Sequence, residues 1–313
     1  MTVTLPDAAA RPRDTGGGPR RAWRRYRVGA VSLWFVLPAL AIYAVVVVYP
    51  SIAGAVYAFT DWGGGRTASF VGLDNFRELF SDPNTVGALR NTMLITVVGT
   101  VVQTVFGLLL AMALNSAIRS RNVLRTLIFA PSLLPPVVIA VLWQYIYTPG
   151  GVLDRILDGL GLGGLSQNWL GDSGVALWSV LAVIVWQNVG LTMVIYLAGL
   201  QGIPEELYEA ASLDGAGAFA SFWNVTRPML APATTIVVAL TMITNLKLFD
   251  QVFVMTGGGP GYATETLSLV MYKEAFVLGH YGYGAAVALV LTMLVAALVF
   301  VQITVTRRSE VAQ

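Results

Sequence analysis

The order of apolar and polar residues divides the chain into six long apolar stretches, at about 31–58, 92–118, 123–147, 175–199, 233–255 and 285–306. A helix needs about 20 mostly apolar residues to cross the hydrocarbon core of a bilayer, so each stretch is long enough to span. Pro38, Pro50, Pro131, Pro135 and Pro136 fall inside these runs. Proline is tolerated in a span when neighbouring helices satisfy the freed backbone groups. The pattern predicts an all-α membrane protein with six transmembrane helices forming one domain over 29–308. The connecting segments then fall alternately on two sides, and one of them, the polar interval 200–232, joins spans four and five.

Composition agrees. The chain of 313 residues is 56% hydrophobic and 12% charged, with a mean hydropathy of +0.70. A soluble domain carries about a quarter charged residues, so most of this surface must face something other than water. The absence of cysteine removes disulfides, thiolate metal sites and cysteine nucleophiles. A lone histidine, His280, cannot build a ligand cluster and falls in a predicted external loop.

Met1 to Arg27 holds seven arginines with Gly16, Gly17 and Gly18. Such a segment buries no apolar surface, and 1–28 is expected to be a disordered basic cytoplasmic tail, with 309–313 a second short tail. A basic stretch before an apolar run also suggests a signal peptide. The run 31–58 is longer than the roughly 7–15 residues such peptides use, which favours an uncleaved first span.

Orientation follows from lysine and arginine. With a cytoplasmic N-terminus, the inner segments hold the seven tail arginines, Arg119, Arg121, Arg125, Arg227, Arg307 and Arg308. The outer segments hold Arg66, Arg77, Arg90, Arg155 and Lys273, and Lys247 lies within span five. Thirteen against five puts both termini, and the 200–232 loop, on the cytoplasmic side of a prokaryotic plasma membrane. On the outer side, Thr256-Gly257-Gly258-Gly259-Pro260-Gly261 has no Gly-Lys-Ser/Thr after it and reads as a turn, not a phosphate cradle. No other Walker-type stretch exists in the chain, so any energy from ATP would come from another subunit.

Within the 200–232 loop, Pro204 suits the first turn of a helix, and Glu205 and Glu206 suit its positive end. Gly215 and Gly217 stop it, as glycine does just past a helix end. A second short helix, about Phe219 to Thr226, is expected to end before Pro228. The predicted element is a helix-turn-helix whose small residues Ala210, Ala211 and Ser212 admit a close partner beside the charge of Glu209. Read from composition alone, an amphipathic connector without a partner fits equally well.

Glu209-Ala210-Ala211, then Gly215, then Val225-Thr226-Arg227-Pro228 resembles the signature loop of binding-protein-dependent ABC importer permeases. Arg227 stands where that family usually has leucine. Phe70 to Phe76, Leu248-Phe249-Asp250 with Thr256 to Pro260, and Tyr281 to Ala285 resemble the sugar-permease branch, which includes the maltose and glycerol-3-phosphate permeases. The resemblance implies two permease subunits, usually different, forming the pathway, with an external solute-binding protein that delivers substrate. It also implies a cytoplasmic ATPase dimer that binds the ATP and magnesium, leaving this chain without catalytic residues, cofactor or metal. Glu209, Ala210, Ala211, Asp214, Gly215 and Pro228 would form the coupling element seated on the ATPase. Lipid surrounds such a protein, and no nucleic acid is expected to bind it.

Polar residues inside spans are costly and usually point inward. At 100° per residue, Thr241, Thr244, Asn245 and Leu248 share one stripe of span five, and Gln187, Asn188 and Leu191 one face of span four. These seven positions match the substrate-contacting segments of the family and are the expected pathway for a mono- or oligosaccharide. Interhelical hydrogen bonds would explain the same residues. Lys247 and Asp250, three apart, are expected to pair on one helix face. Trp143, Tyr145, Tyr147, Trp178 and Trp186 are expected as interfacial belt residues. A glycerol phosphate would want converging cations, which the stripe lacks. A secondary transporter would need coupled ionisable groups, for which only Lys247 and Asp250 are available.

Overall fold

The computed structural model describes residues 28–116 and 119–311. The basic tail expected at 1–28 lies outside the described residues but for Val28, as do the last two positions of the 309–313 tail. Among the described residues the regular structure is helical, apart from one isolated antiparallel bridge between Thr60 and Phe70. Residues up to Pro50 and residues from Ser51 form two compact units. In the first, α1 (Val28–Tyr43) carries Pro38 and passes into a π-helical turn, Ala44–Val48. Side chains from Phe35 to Val48 are exposed, as suits an apolar helix whose solvent is lipid. α2 follows at Tyr49–Tyr57.

In the second unit come α3 (Asp74–Ser81), α4 (Pro83–Asn115), α5 (Arg121–Phe129), α6 (Pro136–Tyr147), α7 (Val152–Gly159) and α8 (Ala176–Gln201). They are followed by α9 (Glu205–Leu213), α10 (Ala218–Ser221), α11 (Arg227–Met229), α12 (Ala231–Leu246), α13 (Asp250–Met255), α14 (Leu267–Tyr272) and α15 (Tyr281–Val311). Five stretches are long and apolar enough to cross a membrane: Phe35–Tyr57, Pro83–Asn115, Ala176–Gln201, Ala231–Met255 and Tyr281–Thr304.

The expected third span, 123–147, is not one helix. Arg121–Leu133 and Pro136–Tyr147 meet at an angle of 101° and make a sixth span only when counted together. Pro131 ends α5 in a 3₁₀ turn, Ala130–Leu133, and the Pro135–Pro136 pair forces Leu134 into extended backbone at φ −83°, ψ 143°. The second span begins at Pro83 rather than 92. Asp82 accepts hydrogen bonds from the Asn84 and Thr85 amides at 3.3 and 2.9 Å, and Pro83 occupies the first turn. A cap, not hydropathy, sets that start. The hydroxyl of Thr85 holds the Asp82 carboxyl below the usual carboxylate range, and the two amides add to the effect.

Span five also breaks. α12 ends at Leu246 and α13 begins at Asp250. Lys247 caps the end of the first helix and Asp250 opens the second; both are exposed, and no ion pair joins them among the described residues. The expected pairing on one helix face fails because that face does not continue past Leu246. Phe219–Thr226 differs too: α10 is followed by a π-helical turn, Phe222–Thr226, and α11 carries Pro228 in its first turn. Pro228 continues the helical path rather than ending it.

The core lies where α4 packs along α8 and α12. Gly107 lies so close to Thr192 of α8, and Gly190 to the Ile128 carbonyl and Phe129 of α5, that neither position has room for a Cβ. Small residues let membrane helices approach in this way. Tyr147 is buried in the upper core, in ring contact with Trp143 and Trp169 at 5.1 and 5.8 Å, so it is no interfacial belt residue. Tyr145, Trp178 and Trp186 are exposed.

The family-like motifs around the second unit turn out to be clasps. Asn75 is buried and donates to the Ala58 and Thr60 carbonyls at 2.9 and 2.8 Å. Tyr283 bonds Thr85 at 3.0 Å, and Gly282 leaves space for the Thr60 carbonyl. The glycine-rich segment after α13 is fastened by Thr256 to Thr264 at 2.7 Å, and by Asn91, which donates to the Ala263 and Glu265 carbonyls at 3.1 and 3.0 Å. Lys273 and Glu265 close it with an ion pair at 2.6 Å.

Candidate functional site

A polar recess lies among α4, α8 and α12, with a volume of about 30 Å³. Its polar wall is Gln103, Asn188, Thr192, Thr241 and Thr244, completed by Leu191, Ile195, Val237 and Leu240. Of the seven positions expected to form the pathway, Asn188, Leu191, Thr241 and Thr244 meet here. Two local facts bring them together. On α8, 188, 191, 192 and 195 fall on one face at the 3.6-residue period, and on α12 so do 237, 240, 241 and 244. The rim is open: Leu191 and Leu240 are 44% and 46% exposed.

The other three positions do not reach the recess. The amide of Gln187 bridges two helices, donating to the Leu134 carbonyl at 3.1 Å and accepting from Gln251 at 2.9 Å. That carbonyl belongs to the break in span three, where the prolines leave no helical donor for it. Asn245 is buried beside Thr100 of α4, 3.5 Å away, with its Oδ1 unpartnered. Leu248 lies beyond the end of α12, packed in the core, its carbonyl taken by the Thr266 hydroxyl at 3.0 Å.

Gln103 was absent from the expected set. Its signal was present in the sequence: Thr92, Thr96, Thr100 and Gln103 follow one another three or four apart, and all four are buried in α4. Most donors around the recess are turned to their own helix. Asn188 donates to the Ile184 carbonyl at 2.9 Å and Thr241 to the Val237 carbonyl at 2.8 Å. Gln103 is 1% exposed and its Nε2 has no partner. An unmade bond of that kind costs about 1–3 kcal/mol.

The second feature is the loop between α8 and α12. α9 starts at Glu205 after Pro204, which is extended at ψ 133°, and ends where Gly215 turns left-handed at φ 76°. The amide of Ala216 reaches back to the Ala211 carbonyl at 2.9 Å and closes the turn. Tyr208 and Thr226 are joined at 3.0 Å, which ties α9 to the π-helical turn. Glu209, Ala210, Asp214 and Gly215 are exposed, while Ala211 and Pro228 are half-buried. Beside them Leu213 is 88% exposed and Phe219 77%. The Arg227 guanidinium lies 4.8 Å from the Trp223 ring.

Spans enough for a multi-pass bundle, a polar recess among three of them and an exposed helical loop joining two of these define a polytopic transport protein. The chain belongs to the family described as binding-protein-dependent transport system inner membrane component, whose model matches residues 103–308. It is 36% identical to the probable ABC transporter permease protein YurN of Bacillus subtilis over 86% of this chain and 93% of that one. It is 33% identical to the multiple sugar-binding transport system permease protein MsmF of Streptococcus mutans over 88% of this chain and 95% of that one. Among solved structures, a chain of a bacterial alginate ABC transporter, in complex with its alginate pentasaccharide-bound periplasmic protein, superposes with a TM-score of 0.78. It is 21% identical, covering 90% of this chain and 95% of that one, a likeness of fold.

Proposed function

We propose that this chain is the permease subunit of an ATP-driven importer and forms half of the pathway for a neutral mono- or oligosaccharide. The observation that carries the proposal is connectivity: α8 and α12, which supply most of the recess wall, are the two helices joined by the exposed α9–α11 loop. A partner that moves the loop moves the wall. In this reading the loop is cytoplasmic, as the lysine and arginine distribution favours, and Glu209, Ala210, Ala211, Asp214, Gly215 and Pro228 form the coupling element. Exposed Leu213 and Phe219 give an ATPase subunit apolar surface to grip.

The recess by itself has room for a water or two, not a sugar. Its open rim is completed by a second permease subunit, and an external solute-binding protein delivers the substrate. Hydroxyls and amides without any charged side chain line it, which suits a neutral polyol and leaves nothing to neutralise a phosphate; the naming of the Streptococcus mutans relative for sugar transport supports the same class. ATP and magnesium belong to the partner ATPase. Glu209→Lys should abolish uptake by the assembled transporter and release the ATPase from the membrane complex, measured by vesicle uptake and co-purification. Uptake at the normal rate would refute the coupling role.

A further inference from the structure

Gln103 lies on the recess wall contributed by α4, with its Nε2 buried and unpartnered. By contrast, the amides of Gln187 and Gln251 satisfy each other at 2.9 Å. No acceptor on the opposite wall lies within hydrogen-bond reach of that Nε2, and the Asn188 and Thr241 donors are turned to their own helices. What remains is a buried, unpartnered amide donor on the wall of a recess without charge. A hydroxyl oxygen of a polyol presents the matching acceptor.

We propose that Gln103 is a substrate-contacting residue, its Nε2 donating to a hydroxyl oxygen of a neutral polyhydroxylated solute as that solute passes the recess. The inference rests on the carbohydrate pathway proposed above and extends it from α8 and α12 to α4. It also gives a reason for the unmade bond, which the passing substrate supplies.

The test uses the complete transporter in ATP-loaded membrane vesicles, with radiolabelled maltose, trehalose, lactose and sucrose as probes. Gln103→Met keeps the length of the side chain and removes its polar atoms. It should raise the transport KM about 2- to 10-fold, the loss of one hydrogen bond. The thermal midpoint of the purified complex should stay the same or rise, because a buried donor has been removed. A KM unchanged in Gln103→Met but raised in Asn188→Ala would overturn the role of Gln103 and leave the pathway standing. A midpoint that falls together with uptake would make the amide a structural tie and overturn it as well. If neither variant alters KM while Glu209→Lys stops uptake, the recess is not the pathway. If none of the four sugars enters with the wild-type chain, the carbohydrate reading fails and this inference with it.

Discussion

Replacing Gln187 with leucine separates the structural polar residues of the spans from those facing the recess. The wild-type amide makes two interhelical bonds, to the Leu134 carbonyl at 3.1 Å and from Gln251 at 2.9 Å. Gln187→Leu leaves both partners unsatisfied, Gln251 of them buried, and the Leu134 carbonyl has no helical donor because the prolines interrupt the ladder. Side-chain bonds between membrane helices contribute about 0.6 kcal/mol on average and up to about 1.7. Two of them make the expected loss about 1–3 kcal/mol. At about 2–4 °C per kcal/mol, the scale for domains of 150–250 residues, the unfolding midpoint should fall by a few to about 10 °C. The measurement is thermal unfolding of the purified protein in detergent, read by loss of the monodisperse chromatographic peak. Asn188→Leu is the control: its amide bonds only the Ile184 carbonyl of its own helix. It should shift the midpoint by much less while reducing uptake. A wild-type midpoint for Gln187→Leu, or an equal fall for both variants, would refute the division.

Two further outcomes follow from the packing and the loops. A Cβ at Gly190 would run into the Ile128 carbonyl and come within 2.8 Å of the Phe129 Cα, backbone that cannot turn aside. Gly190→Ala should therefore cost about 1–3 kcal/mol in the same unfolding assay, and full stability would mean that α5 gives way freely. Asp154 is held below the usual carboxylate range by hydrogen bonds, first from the Trp169 indole and then from Ser166 and the Gly150 amide. A depressed folded value adds stability that is present above the ordinary carboxylate pKa and is lost as pH falls through the folded one. The α7 segment should thus hold its Trp169 contact at neutral pH and loosen only below about pH 4, seen as increased quenching of tryptophan fluorescence. Asp154→Asn should remove that pH dependence, and its persistence would place the titrating group elsewhere.

Much of this protein is legible in one dimension because a bilayer imposes a simple rule: backbone groups must pair within each segment and the outside must be apolar. Hydropathy alone therefore located five apolar helices long enough to span, including Ala176–Gln201 to within two residues. Spacing put Asn188 with Leu191, and Thr241 with Thr244, on shared faces. The loop around Glu209 was visible because a capped helix, Pro204 to Gly215, interrupts the apolar pattern. Tertiary structure decided the rest. Helical periodicity assumes a helix that continues, and α12, the first helix of span five, ends at Leu246, which takes Leu248 off the stripe and separates Lys247 from Asp250. Periodicity also gives a face but not what lies across from it. Gln187 and Asn188 are neighbours of the same chemistry, yet one ties the bend of span three and the other lines the recess. The burial of Gln103 beside Asn188 and Thr241 depends on glycines such as Gly107 letting α4 close onto α8. That contact joins residues about 85 positions apart, a distance over which no local pattern carries information.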